Sequence, residues 1–171
     1  MIRTLDSSQY RTEIVINGVG SNASDRIYLE EILNLADKHP RRIKITQTGF
    51  LDEESFLEYF QTVHLVFIPR GQTNGEVSGN MAYALGAGVP LILPQIDAFC
   101  EFQHNNYPLF YRVNDLHSIR TQINYVQRNY DAIATLSLNE RTYWLDKFAP
   151  TKVAAEYLKH YDKLLNTALT K

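Results

Sequence analysis

Cysteine is all but missing from this sequence. Cys100 stands alone, so neither an intrachain disulfide nor a multi-cysteine metal site can form, as suits a reducing compartment. An excess of one charge is missing too. With 17 basic against 19 acidic residues, the formal net charge is -2, which removes the electrostatic case for nucleic acid or an anionic membrane surface. No apolar run approaches the ~20 residues of a membrane span, and the N-terminus carries no signal-peptide core. A soluble, cytoplasmic globule is therefore expected. His64, His104, His117 and His160 show no ligand spacing and read as structural, and Cys100 has no His/Asp arrangement beside it to activate a thiol. No repeat, low-complexity tract or linker divides the chain, so residues 1–171 are expected to form a single domain with a real core. Aromatic side chains are what the sequence has in plenty. Eleven Tyr and eight Phe suit packing as readily as ligand stacking.

The stretch 63–102 organises the rest. Leu65-Val66-Phe67-Ile68 is a continuous apolar run stopped by Pro69, the pattern of a strand buried on both faces in a parallel sheet. A loop rich in Gly, Asn and Thr follows over 71–77. Ser78 stands at an N-cap position ahead of a small-residue helix over 79–87, which Gly88 ends, and Pro90 leads a second apolar strand, Leu91-Ile92-Leu93. The helix start offers unpaired N–H groups to the loop, a ready anion site and especially a phosphate site.

Around this unit, Glu13-Ile14-Val15-Ile16 reads as a strand closing in Asn17-Gly18-Val19-Gly20, and a helix follows from Asp25 to before Pro40. Residues 42–46 alternate like a strand ending before Gly49. Asp52 caps a helix with Glu53 and Glu54 in its first turn and a stripe of Phe56, Leu57 and Phe60. Beyond the central unit, 97–103 suits a helical turn and Leu109-Phe110-Tyr111 is a short apolar run. Asn114 or Asp115 caps a helix carrying Leu116, Ile119, Ile123 and Val126, and two further helices are expected over 138–147 and 150–169. Strands alternating with helices predict an α/β, Rossmann-like open sheet, mostly parallel, with helices on both faces. Ligands of such sheets bind beyond the carboxyl ends of the strands, which gathers the loops at 17–24, 46–52, 69–80 and 94–98 onto one rim.

The order of these pieces resembles the C-terminal, donor-nucleotide-binding domain of the retaining GT-B, group 1 glycosyltransferases. The resemblance is carried by the strand ending in Pro69, the Gly-containing loop, the helix ending Ala84-Leu85-Gly86-Ala87-Gly88-Val89-Pro90, and Glu101. Ile14 to Gly20, Thr48 to Glu54 and Phe148 to Tyr161 add to it, so it covers most of the chain from about Glu13 onward. It implies a nucleoside diphosphate sugar as donor substrate, with no cofactor and no metal required. Ser78, Gly79 and Asn80 would meet the diphosphate through backbone N–H groups. The turn at Thr48 and Gly49 would border the base, with Phe50 or Leu51 as an apolar wall, and Gly18 and Gly20 would form the family's strand-end turn. The family's two Glu fall on Gly75 and Tyr83, with Glu76 one residue off; Glu76 is the candidate catalytic residue beside the donor sugar, and Tyr83 offers one hydroxyl. The family's diphosphate-neutralising Arg and Lys would lie upstream of Glu13, leaving Arg70 as the cation near the loop. The resemblance further implies an N-terminal acceptor domain or partner subunit, without which the chain is not expected to turn over.

Each of these residues also has a plainer reading. Gly18 and Gly20 suit an ordinary turn, Ser78 an ordinary cap, Glu76, Arg70 and Glu101 solvent, and Tyr83 the core. Tyr157 and Tyr161 suit core or contact with another domain. The second function carried forward is accordingly a non-catalytic nucleotide- or protein-binding module with a degenerate glycosyltransferase fold.

Overall fold

The computed structural model describes residues 12–17, 22–71, 78–104 and 107–169. The apolar runs form strands β1 (Thr12–Asn17), β2 (Ile43–Gly49), β3 (Val66–Phe67), β4 (Leu91–Pro94) and β5 (Phe110–Tyr111), and every pairing between them is parallel. Helices α1 (Ala23–Asp37), α2 (Glu53–Thr62), α3 (Gly79–Ala87) and α4 (Cys100–His104) alternate with them. A 3-10 turn, Asp97–Phe99, leads into α4, and α5 (Leu116–Arg128), α6 (Tyr130–Lys147) and α7 (Pro150–Leu169) close the chain. The architecture is the Rossmann-like α/β class, with helices on both faces of parallel strands.

The pairing falls into two sets, β1–β2 and β3–β4–β5, where the alternation alone predicts one open sheet. β3 is the reason. It contributes only two residues to its ladder, Val66 against Leu91 and Phe67 against Ile92, before Pro69 ends it. The two sets nevertheless share one core, in which Ala36 and Ile43 join Leu91, Ile92, Leu93, Phe99 and Leu109.

β4 is its centre. Leu91, Ile92 and Leu93 are buried, so each of their backbone groups needs a partner. Ile92 bonds toward β3 and Leu93 toward β5, but Leu91 lies a step before β5 begins. The Tyr107 hydroxyl stands in there, accepting from Leu91 N at 2.8 Å and donating to Leu91 O at 2.7 Å. Burial pushes its pKa well above the ordinary phenol range, so the hydroxyl keeps its proton. Tyr107→Phe is expected to leave two buried polar groups unpaired and to cost about 1–3 kcal/mol, read from the urea midpoint.

Side-chain caps set several helix starts. Asn22 accepts from Asp25 N at 2.9 Å, which starts α1 at Ala23, two residues earlier than the sequence reading has it. Asp52 accepts from Ser55 N at 2.8 Å and Asp115 from Ser118 N at 2.9 Å, while Asn114 takes a left-handed φ of 62° and leaves the cap to Asp115. These bonds, from Ser55 and Ser118 first, hold both carboxyl pKa values below the ordinary aspartate range. A lowered folded pKa contributes stability that is present above about 3.8 and is lost as pH falls through the folded value. Urea midpoints measured from about pH 6 down to about pH 3 are expected to fall more for the wild type than for an Asp52→Ala/Asp115→Ala variant.

Helix α6 begins at Tyr130, eight residues ahead of the expected 138. Tyr157, Leu158, Tyr161, Leu164 and Leu165 of α7 are all exposed, so the stripe read as core or inter-domain contact is uncovered in this chain. Among the described residues no helix is long and apolar enough to cross a membrane.

Candidate functional site

The exit of β3 and the entry of α3 face each other across a cleft of ≈ 350 Å³, lined by Val66, Phe67, Ile68, Pro69, Arg70, Ser78, Gly79 and Asn80. It lies beyond the carboxyl end of a parallel strand, where ligands of α/β sheets bind. Four residues singled out in the sequence thus meet at one place: Arg70, Ser78, Gly79 and Asn80.

Ser78 is buried and takes the N-cap position with an extended backbone (φ -84°, ψ 114°). Its carbonyl accepts from Met81 N at 3.1 Å and Ala82 N at 3.2 Å, but its side chain makes no capping bond. The amides of Gly79 and Asn80 have no hydrogen-bond acceptor among the described residues. A Cβ built on Gly79 would meet nothing within 4 Å among the described residues, so among them no side chain covers the helix start. On the opposite wall, Arg70 Nη1 is buried without a hydrogen-bond partner among the described residues. An arginine stays charged, and a buried guanidinium N–H without an acceptor is rare and costly. Helix dipole, free amides and guanidinium all favour a negative group in this cleft.

A second layer holds the β3 exit. The ladder leaves a gap here, because Ile68 N donates to Ile92 O, while the matching β4 donor to Ile68 O would be the backbone N of Pro94, which carries no hydrogen; Ile68 O accepts from Arg70 N at 3.0 Å within the exit turn but gets no bond from β4. The hydroxyl of buried Tyr111 fills it, donating to Ile68 O at 2.9 Å and lying 3.4 Å from Arg70 O. Its ring stacks on Phe67 at 5.0 Å. Sequence reading misses Tyr111, although a proline inside a central strand is a signal that another donor must serve the neighbouring carbonyl.

The other candidates lie elsewhere. Gly49 ends β2 with a left-handed φ of +67°, and Thr48 Oγ1 donates to its carbonyl at 3.2 Å; neither lines the cleft. Phe50 beside them is 82% exposed. Tyr83 packs its ring edge-on to Phe56 at 5.3 Å and against Phe60 at 6.3 Å, within the α2–α3 contact and off the cleft wall. Glu101 pairs with Lys147 at 3.5 Å on the surface. Gly18, Gly20, Gly75 and Glu76 lie outside the described residues.

No family model and no curated protein matches the sequence. Solved structures do resemble the fold. The HepE protein of Anabaena, solved in complex with UDP, superposes with a TM-score of 0.72 at 13% identity, over 95% of this chain and 44% of that one. Sucrose-phosphate synthase from Thermosynechococcus elongatus gives a TM-score of 0.69 at 16% identity, over 97% of this chain and 41% of that one. The chain therefore spans less than half the length of either neighbour. At these identities the likeness establishes the fold alone, a Rossmann-like α/β domain with parallel strands and helices on both faces.

Proposed function

We propose that this chain is the donor-binding half of a retaining glycosyltransferase. It would hold a nucleoside diphosphate sugar whose hexose-type sugar passes to an acceptor supplied by an N-terminal domain or partner subunit. The observation that carries the reading is the cleft where the start of α3 faces Arg70 Nη1, both without hydrogen-bond partners among the described residues. A diphosphate supplies the acceptors those donors lack. In glycosyl transfer the leaving diphosphate gains negative charge, and amides already oriented toward it lower the barrier by a few kcal/mol. Arg70 would contribute the neutralising cation, and Glu76 would stand beside the donor sugar. The likeness to HepE, a protein solved with UDP, supports a nucleotide as the ligand class, and the exposed apolar stripe of α7 suits a partner domain.

The test is a melting-temperature titration with UDP, GDP and ADP. Binding selective for the native state must stabilise it, by about 2.7 kcal/mol at a hundredfold excess over Kd. At least one diphosphate is expected to raise the melting temperature in a saturable way; millimolar concentrations of all three without a shift would sink the proposal. A second reading, a non-catalytic binding module, is favoured by one observation: Tyr83, at the position of a family Glu, spends its ring on Phe56 and Phe60. The two readings part when the diphosphate sugar is offered together with a completing domain, since only the first gives turnover.

A further inference from the structure

Resting on that reading of the cleft, we infer that Tyr111 is a positioning residue for the diphosphate, acting through the β3 exit and Arg70. The chain leaves the sheet at Ile68-Pro69-Arg70, and all three residues line the cleft. The ladder holds this exit only through Ile68 N, which donates to Ile92 O, because Pro94 withholds the N–H that would bond Ile68 O. The Tyr111 phenol replaces it from β5, reaching across β4, and extends to the Arg70 carbonyl. Its ring also backs Phe67, a further lining residue. One buried side chain therefore touches the backbone or ring of three residues in the cleft wall without entering the cleft. Without the hydroxyl, Ile68 O keeps only the Arg70 N–H of its own tight turn, at 3.0 Å, and no bond from the sheet holds that turn in place, so the Arg70 guanidinium no longer meets the α3 N-terminus at a fixed distance.

Tyr107 provides an internal control. It offers the same chemistry, a buried phenol completing the β4 ladder, but it serves Leu91 at the strand's opposite end. Both Tyr111→Phe and Tyr107→Phe are expected to lose stability, and only Tyr111→Phe is expected to lose affinity. Pro94→Ala offers the rescue, since it restores to β4 the very N–H that Ile68 O lacks.

The experiment measures calorimetric Kd for the tightest of UDP, GDP and ADP in seven proteins: the wild type, Tyr111→Phe, Tyr107→Phe, Arg70→Ala, Pro94→Ala, Tyr111→Phe/Arg70→Ala and Tyr111→Phe/Pro94→Ala. Tyr111→Phe is expected to weaken binding about fivefold to tenfold, and Tyr107→Phe by less than about twofold. In the Arg70→Ala background, Tyr111→Phe is expected to add almost nothing, because the two act through one interaction. The Pro94→Ala addition is expected to recover most of the loss. Equal affinities for wild type and Tyr111→Phe would overturn the inference while leaving the cleft assignment standing, and so would an equal loss in Tyr107→Phe. Full additivity with Arg70→Ala would overturn the route through Arg70. Should the wild type bind none of the three diphosphates, both the inference and the proposed function fall. If Tyr111→Phe alone does not fold, the comparison of Tyr111→Phe/Pro94→Ala with Pro94→Ala decides: matching affinities support the route through Ile68 O, and a retained fivefold deficit contradicts it.

Discussion

Gly88→Val is expected to lower the melting temperature by roughly 5–15 °C. Gly88 closes α3 in the left-handed region (φ 74°, ψ 22°), with its N–H directed to the carbonyls of Ala84 and Leu85, while Val89 N bonds back to Ala84 O at 3.0 Å. This is the arrangement that satisfies the last carbonyls of a helix, and glycine takes it without strain. An L side chain in that conformation costs about 1–2 kcal/mol, and a β-branched one stands at the upper end. There is also no room. A Cβ at Gly88 would lie 2.8 Å from Leu138 Cδ2 and 3.2 Å from Arg141 Cδ, on α6. Arg141 is not free to withdraw, since its Nε donates to Gly86 O at 2.6 Å. Crowding of this kind adds about 1–3 kcal/mol. The sum is about 2–5 kcal/mol, and calorimetric melting of Gly88→Val against wild type measures it. A shift of under about 2 °C would mean that neither the left-handed backbone nor the α6 side chains resist the valine.

Gly79→Trp is expected to do the reverse, sparing the fold and abolishing the ligand. The position is the first of α3, and no described residue lies within 4 Å of where a side chain would start, so the substitution should change stability by no more than about 0.5 kcal/mol. The indole would occupy the space in front of the Gly79 and Asn80 amides. Affinity for a nucleoside diphosphate is then expected to fall more than tenfold, a loss of at least about 1.4 kcal/mol. Paired measurements of melting temperature and Kd separate the two effects. Unchanged affinity would place the diphosphate elsewhere, and a collapsed melting temperature would mean that the space is needed by the protein itself.

These two glycines also mark what the sequence discloses and what it conceals. Gly88 after a small-residue helix, and Ser78 before it, are local signals, and both helix ends fall where they point. The cleft's walls were legible for the same reason: a buried strand stopped by Pro69 and a helix start a short loop later must meet at the strand's carboxyl end. Relations between distant residues were not legible. The eight missing residues of α6 were hidden because its buried face includes Ser137, whose hydroxyl bonds Ile133 O and breaks the apolar period. Tyr83 sits on a helix of small residues, and nothing local reveals that Phe56 and Phe60 of α2 take its ring. Tyr111 could be assigned only once the register set Ile68 opposite the proline N of residue 94. The separation into two strand sets likewise depends on how few rungs β3 offers, which an apolar run of four residues does not disclose.

The claim on which the rest stands is that the main-chain amides opening α3 bind a diphosphate. The most direct measurement is an amide NMR titration of the isotope-labelled chain with a nucleoside diphosphate and, in parallel, with the matching nucleoside. The account predicts large, saturable shifts of the Gly79 and Asn80 amides and of the Arg70 side-chain resonance with the diphosphate, and much smaller ones with the nucleoside. Diphosphate-dependent shifts confined to other parts of the chain, with Gly79, Asn80 and Arg70 unmoved, would contradict it.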